Sequence, residues 1–261
     1  MNRIEAKFKE LRRKKQKALV AFITAGYPSL SLTEKLVREF TRVGVDIMEL
    51  GVPFSDPMAD GPVIQEASQA ALRQGVNLRR ILKSVKNIRR HTDIPICLMT
   101  YYNPIFCFGE ERFAKSAALC GVDGVIIPDL PPEEGSSLLK SARKYNLDLV
   151  CFISPTTSAQ RVKYIARISR GFIYYVSLTG VTGARKKLPA GLAQHIREVK
   201  RCTAKPVCVG FGISTPGQVK DLSGVADGVI VGSAIVRKIQ DNIGRPDLVQ
   251  RVAKFVAALK G

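Results

Sequence analysis

The sequence predicts one domain built as a (β/α)8 barrel, an α/β fold of eight parallel strands with an extra amino-terminal helix. Eight short apolar runs, rich in Val and Ile, alternate with segments of helical periodicity. The runs are continuously apolar, as is typical of parallel strands that are buried on both faces. No linker-like stretch divides residues 1–261, so a single TIM-barrel domain is expected. An open, doubly wound sheet is the alternative, because the number of strands does not prove closure.

The first predicted element is an amphipathic helix, because Ile4, Phe8 and Leu11 recur at intervals of four and three residues. A basic stretch before the first apolar run could suggest a secretion signal. However, Glu5 and Glu10 lie in the region that a signal would need to be basic, and no small-residue cleavage site follows the apolar run. No apolar run reaches the ~20 residues that a membrane helix needs. We therefore expect a cytoplasmic protein.

The eight predicted strands follow this helix, each ending in a turn. They span residues 18–25, 47–52, 94–101, 124–128, 147–154, 172–177, 206–210 and 228–231. Helical periodicity separates them and is clearest at residues 32–43 and 248–259. A further helix is predicted over residues 132–145, with Glu133 and Glu134 in its first turn and Arg143 and Lys144 in its last. That order of charges complements the helix dipole.

The formal net charge of +19 is unusual and could indicate a surface that binds nucleic acid or an acidic membrane. The 41 basic residues are spread along the chain, mostly on the polar faces of predicted helices. No nucleic-acid motif accompanies them. We therefore expect no nucleic acid and no membrane among the partners.

The distribution of cysteine and histidine argues against a metal site or a histidine-based triad. None of the six cysteines forms a CxxC pair, and four lie within or beside apolar runs, as expected of reduced, buried thiols. The two histidines, His91 and His195, each fall in a predicted helix among basic residues.

Glu49 lies inside the second apolar run, and a turn-rich loop that carries Asp56 and Asp60 follows at once. A carboxylate that points into a barrel loses its hydration, which raises its pKa and suits it to general acid–base catalysis. A structural carboxylate paired with a lysine or with backbone amides is the alternative. The loop favours catalysis, because active sites of this fold lie where the strands end.

Glycines close the last two predicted strands: Gly210 ends the seventh and Gly212 follows it, and Gly232 follows the eighth. Glycine lets the backbone approach an oxyanion closely, and the N–H groups at a helix start favour a phosphate. Barrels of this class often bind phosphate with these two loops. The sequence therefore predicts a phosphate site, with tight turns alone as the alternative.

A small, polar and glycine-rich segment over residues 179–191 follows the sixth predicted strand. This composition suits a lid that closes over a substrate and excludes water, although an ordinary surface loop could share it.

Together these motifs resemble the tryptophan synthase alpha subunit family. The resemblance rests on residues 49–62, 180–183, 210–214 and 232–234, with support from residues 22–28, 99–104 and 128–131. It implies a lyase of tryptophan biosynthesis that cleaves indole-3-glycerol phosphate to indole and D-glyceraldehyde 3-phosphate by a retro-aldol step. It also implies no cofactor and no metal, and an αββα heterotetramer formed with the beta subunit.

The resemblance further implies roles for single residues. Glu49 is expected to be the catalytic acid–base, and Asp60 the carboxylate that binds the indole N–H. Pro53 and Asp56 are expected to face the beta subunit. The other substrate contacts are expected from Phe22, Ile64, Thr100, Tyr174, Thr182, Gly183, Phe211, Gly212, Gly232 and Ser233.

The sequence departs from the family pattern at Leu178, where many members carry a basic residue, and more mildly at Met58 and Val63. Another phosphate-binding barrel, such as a sugar-phosphate isomerase or a lysine-dependent aldolase, is an alternative. The aldolase would need a lysine inside a strand, and the eight runs contain none. A regulatory subunit that binds ligand without forming product is a further alternative.

Overall fold

The computed structural model describes residues 2–176, 191–210 and 212–260. Its eight parallel strands pair in chain order, and β8 returns to pair with β1, which closes the barrel and excludes the open sheet. Each strand lies within one of the predicted runs. The strands are β1 Ala18–Thr24, β2 Ile47–Gly51, β3 Ile96–Met99, β4 Gly124–Ile126, β5 Asp148–Ile153, β6 Ile173–Val176, β7 Val207–Gly210 and β8 Gly228–Val231.

Helices surround the barrel, and within the described ranges none is long and apolar enough to cross a membrane. The first six are α1 Arg3–Arg13, α2 Leu30–Arg42, α3 Pro62–Arg73, α4 Leu78–Ile88, α5 Tyr102–Phe108 and α6 Glu110–Cys120. The others are α7 Ser136–Lys144, α8 Ala159–Ile168, α9 Leu192–Cys202, α10 Pro216–Ser223, α11 Ser233–Gln240 and α12 Leu248–Lys260.

The extra helix α1 covers the amino-terminal end of the barrel, as its amphipathic pattern predicts. Its N-cap residue Asn2 accepts a hydrogen bond from the N–H of Ile4 at 2.9 Å, which fixes the start of the helix. Ile4, Phe8 and Leu11 are buried in the same cluster as the side chains inside the barrel. The rings of Phe8 and Phe172 lie 5.9 Å apart. The opposite end, where the strands finish, is therefore the end that a ligand can enter.

Two of the helix predictions are wrong in detail. Helix α7 begins at Ser136 and not at residue 132, because residues 132–134 form a turn and Gly135 is the N-cap. Glu133 consequently lies before the helix, where its carboxylate pairs with Arg161 at 2.6 Å. His91 lies in a turn beyond the end of α4, whereas His195 does lie in α9.

The alternation of side chains along each strand decides which residues enter the barrel. On β3, Cys97 belongs to the interior cluster, whereas Leu98 packs in the outer layer between strands and helices. Glu49 of β2 is in register with Cys97 and, on its other side, with Phe22 of β1. The carboxyl of Glu49 is thereby placed inside the barrel, among apolar neighbours.

Candidate active site

A cavity lies at the carboxyl ends of the strands. Active sites of (β/α)8 barrels occupy this end. Strands β1, β2, β3, β6 and β8, the loops after β2, β7 and β8, and the first turns of α3 and α11 supply its walls. The lining residues are Phe22, Glu49, Asp60, Ile64, Met99, Tyr174, Gly212, Ile213, Ile230, Gly232 and Ser233.

Glu49 is fully buried at the base of this cavity. Among the described residues, neither of its carboxyl oxygens has a hydrogen-bond partner. Burial raises the pKa of Glu49 to about 8, and the nearby Asp60 contributes to the increase. A structural carboxylate would be paired, because an unpaired buried charge is costly. The geometry therefore favours a proton donor over a structural carboxylate.

Asp60 lies in the loop between β2 and α3 and is 7% exposed. Burial raises its pKa to about 6, and a hydrogen bond with the Tyr101 side chain opposes that increase. Near neutral pH, Glu49 is therefore mostly protonated and Asp60 mostly ionised. Two carboxyl groups whose environments separate their pKa values are suited to separate acid and base roles.

The walls between these carboxyl groups are largely apolar. Phe22, Ile64 and Tyr174 line the cavity, as the resemblance implies. The ring of Tyr174 lies 4.8 Å from that of Phe152, which fixes it on the barrel wall. Such a slot, with a carboxylate at its rim, fits a planar aromatic ring that carries one polar N–H.

Thr100 does not line the cavity, although the resemblance places it near the indole pocket. Met99 lines the cavity in its place. Cys97 and Met99 share the inward face of β3. Because side chains alternate along a strand, Thr100 lies on the outward side together with Leu98. The Thr100 hydroxyl is buried and donates to the carbonyl of Tyr101 at 3.1 Å.

Backbone groups form the other end of the cavity. Gly232 is the N-cap of α11, and the first turn of this helix, beginning at Ser233, receives no side-chain cap. Uncapped N–H groups at a helix start attract an anion. Gly212 has a positive φ of 80°, a conformation that favours glycine. Both strand-end loops therefore suit a phosphate group, as the glycine pattern predicts.

Several predicted features lie outside the described residues. They are Thr182, Gly183, Phe211, the departure at Leu178 and all but the last residue of the proposed lid. The two residues expected at a partner interface are described: Pro53 is buried, and Asp56 is exposed and accepts a hydrogen bond from the Ser55 hydroxyl at 2.5 Å.

Sequence reasoning did not identify Met99, Tyr101, Ile213 or Ile230 as site residues. Strand alternation is the signal that could have found Met99 and Ile230, because residues two apart on a strand share a face. Met99 is two residues beyond the inward-facing Cys97 on β3, and Ile230 is two residues beyond Gly228 on β8. Tyr101 carries no such signal. Its hydroxyl accepts a hydrogen bond from the N–H of Ala59 at 2.9 Å, a contact between residues 42 positions apart in the chain.

The sequence is similar to a well-defined set of proteins. The family model described as tryptophan synthase alpha chain matches residues 8–260. The tryptophan synthase alpha chain of Geobacter sp. (strain M21) is 49% identical over 260 residues, which cover 100% of this chain and 97% of that relative. The alpha chain of Thermoanaerobacter sp. (strain X514) is 45% identical over 260 residues, with 100% and 99% of the two chains covered.

Solved structures give the same result. Tryptophan synthase subunit alpha from Legionella pneumophila str. Paris matches with a TM-score of 0.93 at 38% identity, covering 100% of this chain and 97% of that one. A chain from the tryptophan synthase α2β2 complex of Pyrococcus furiosus matches with a TM-score of 0.86 at 39% identity, covering 93% and 97%. With these matches over its whole length, the chain belongs to the tryptophan synthase alpha chain family.

Proposed function

We propose that Glu49 and Asp60 carry out, in this cavity, the reaction of the family: cleavage of indole-3-glycerol phosphate to indole and D-glyceraldehyde 3-phosphate. The chain is a carbon–carbon lyase of tryptophan biosynthesis. The observation that supports the proposed roles is the fully buried Glu49 carboxyl, which faces the same cavity as a second carboxyl of lower pKa.

Cleavage separates indole C3 from the first carbon of the glycerol phosphate chain. C3 becomes a leaving group only after it has been protonated, because protonation makes the ring an acceptor for the electrons of the broken bond. Glu49, which is mostly protonated at neutral pH, donates this proton. The resulting positive charge is shared by the ring nitrogen.

Asp60 stabilises that charge. Its carboxylate, mostly ionised at neutral pH, accepts the hydrogen bond of the ring N–H, and this interaction strengthens as the ring becomes cationic. The bond to C3 then breaks, and its electrons restore the aromatic ring. The proton of the adjacent hydroxyl passes to the Glu49 carboxylate, which forms the aldehyde and returns Glu49 to its protonated state. The ring serves as the electron acceptor, so this mechanism uses no cofactor.

The phosphate of the substrate is proposed to bind at the ends of β7 and β8. Backbone N–H groups of Gly212, Gly232 and Ser233, and the hydroxyl of Ser233, are the described candidates. Phe211, Thr182 and Gly183 complete the proposed contacts. This arrangement holds the substrate by its non-reacting end, so that the indole ring enters the slot between Glu49 and Asp60.

A tryptophan synthase beta subunit is proposed as the partner, in an αββα assembly. Its surface on this chain would include Pro53 and Asp56 of the loop after β2. Two large apolar side chains are exposed on the segments that follow β2 and β3: Met58 is 77% exposed and Phe106 is 66% exposed. Met and aromatic residues are enriched at protein interfaces. The proposed setting is the cytoplasm.

The experiment that tests this function is the release of indole from indole-3-glycerol phosphate by the purified chain, with and without a cognate beta subunit. Indole that forms with the chain alone and forms faster with the partner supports both the chemistry and the assembly. A folded chain that binds substrate but releases no indole under either condition contradicts the catalytic roles and favours a regulatory subunit.

A further inference from the structure

We infer that Tyr101 is a positioning residue that holds the Asp60 carboxylate at the rim of the cavity. This inference rests on the proposed role of Asp60 and adds a residue to it. Tyr101 does not line the cavity, so it acts through Asp60.

The backbone around Tyr101 is fixed on both sides. Tyr101 immediately precedes α5, as its N-cap residue. The N–H of Thr100 donates to the carbonyl of Ile126 at 3.0 Å, which extends the pairing of β3 with β4. The N–H of Tyr102 donates to the Asp129 carboxylate at 2.9 Å. Tyr101 therefore lies in a short connection between β3 and α5 whose backbone is hydrogen-bonded on both sides.

This side chain reaches across to the loop after β2 and contacts it at two points. The ring stacks on Phe54 near the start of the loop, with the centroids 5.2 Å apart and the planes at 29°. The hydroxyl accepts the N–H of Ala59 near the end of the loop at 2.9 Å. Tyr101 is only 5% exposed, so these contacts are shielded from water.

The direction of the hydrogen bonds determines what Tyr101 does to Asp60. Because its oxygen already accepts from Ala59, the phenolic proton is available to the carboxylate of Asp60, the next residue in the loop. Burial, followed by the charge of Asp60, raises the pKa of Tyr101, so the phenol remains a donor. The backbone of Asp60 has a separate tether, since the Gln65 amide donates to its carbonyl at 2.8 Å.

The two tethers therefore have different effects. Gln65 holds the main chain of the loop, whereas Tyr101 orients the carboxylate and favours its ionised form. The hydrogen bond lowers the pKa of Asp60 against the opposing effect of burial. Without the hydroxyl, Asp60 would be protonated at a higher pH and would lose the charge that stabilises the indole cation.

The test is a Tyr101→Phe chain, which keeps the ring on Phe54 and removes only the hydroxyl. Tyr102→Phe is the matched control, because the adjacent Tyr102 hydroxyl donates to Glu110 at 2.9 Å, away from the cavity lining. We expect kcat/KM for indole release by Tyr101→Phe to fall on the order of tenfold below about pH 7 and much less above about pH 8. Tyr102→Phe should reproduce the parent profile.

Two outcomes would overturn the inference while leaving the role of Asp60 intact. One is an unchanged pH profile for Tyr101→Phe. The other is an equal loss at every pH in a chain with lowered melting temperature, which marks a purely structural residue.

An Asp60→Asn chain separates these results from failure of the proposed function. Near-normal activity of Asp60→Asn would contradict the role of Asp60 itself and the inference with it. If Asp60→Asn is impaired, adding Tyr101→Phe should cost no further activity, because Tyr101 acts through the missing carboxylate. A further loss of the same size as in the parent would contradict the inference.

Discussion

Glu49 of β2 lies in direct register with Phe22 of β1, so a carboxyl group and an aromatic ring share one layer of the barrel interior. Phe22 also fills the space beside Gly51, where an added Cβ atom would lie 2.6 Å from the ring. The ring thus excludes water from the side of β2 that carries Glu49. This packing is one physical source of the burial that raises the pKa of Glu49.

Replacing Glu49 by glutamine should abolish most of the activity while preserving the fold. Glutamine keeps the shape of the side chain but has no proton of suitable acidity for indole C3. We expect kcat for indole release to fall about 10²-fold to 10⁴-fold, the usual contribution of a general acid. Substrate binding, measured by calorimetry, should change little. Near-normal turnover would show that another group protonates C3.

The pH dependence of kcat/KM should be bell-shaped. As the pH falls through about 6, Asp60 becomes protonated and loses the negative charge that we propose stabilises the indole cation. As the pH rises through about 8, Glu49 loses the proton that we propose it donates. Activity should therefore be highest near pH 7. In an Asp60→Asn chain the acidic limb should disappear, and a limb that persists there would belong to a different group.

Glu49→Gln should also make the protein more stable at alkaline pH. The pKa of Glu49 is about 8 in the folded chain, against 4.5 for an unperturbed glutamate. As the pH rises between these values, Glu49 ionises in the unfolded chain but not in the folded one, so it increasingly lowers the free energy of unfolding. Urea unfolding should show a gain of roughly a few kcal/mol at about pH 8 that vanishes near pH 4. A gain that is independent of pH would not come from this titration.

Alanine at position 212 should weaken phosphate binding. Gly212 has φ of 80°, and a side chain in this conformation is strained by roughly 1–2 kcal/mol. Relief of the strain would move the backbone N–H groups, so we expect KM to rise on the order of tenfold with a smaller change in kcat. Gly217→Ala is the matched control, because Gly217 lies in α10 with no heavy atom within 4 Å of an added Cβ. Equal effects of the two substitutions would contradict this role of Gly212.

The sequence by itself determined the eight strands and the end of the sheet that carries the site, whereas the pairing of β8 with β1 in the structure closed the barrel. Continuous apolar runs identify strands buried on both faces, and this pattern is local, so all eight strands could be located without knowing their neighbours. A charged residue inside such a run, as at Glu49, identifies a desolvated carboxyl for the same reason. The glycines at 212 and 232 follow from the geometry of the strand-to-helix turn.

Only the tertiary structure decided which side chains meet. Where β3 ends, the phase of its alternation places Met99 in the cavity and Thr100 outside it, and the apolar run alone does not set that phase. The start of α7 at Ser136 depends likewise on a preceding turn, which the charge pattern did not predict. The bond between Tyr101 and the loop of Asp60 joins residues 42 positions apart. Such a contact depends on the pairing of β2 with β3, because this pairing brings the two strand ends side by side and local sequence does not reveal which strands pair.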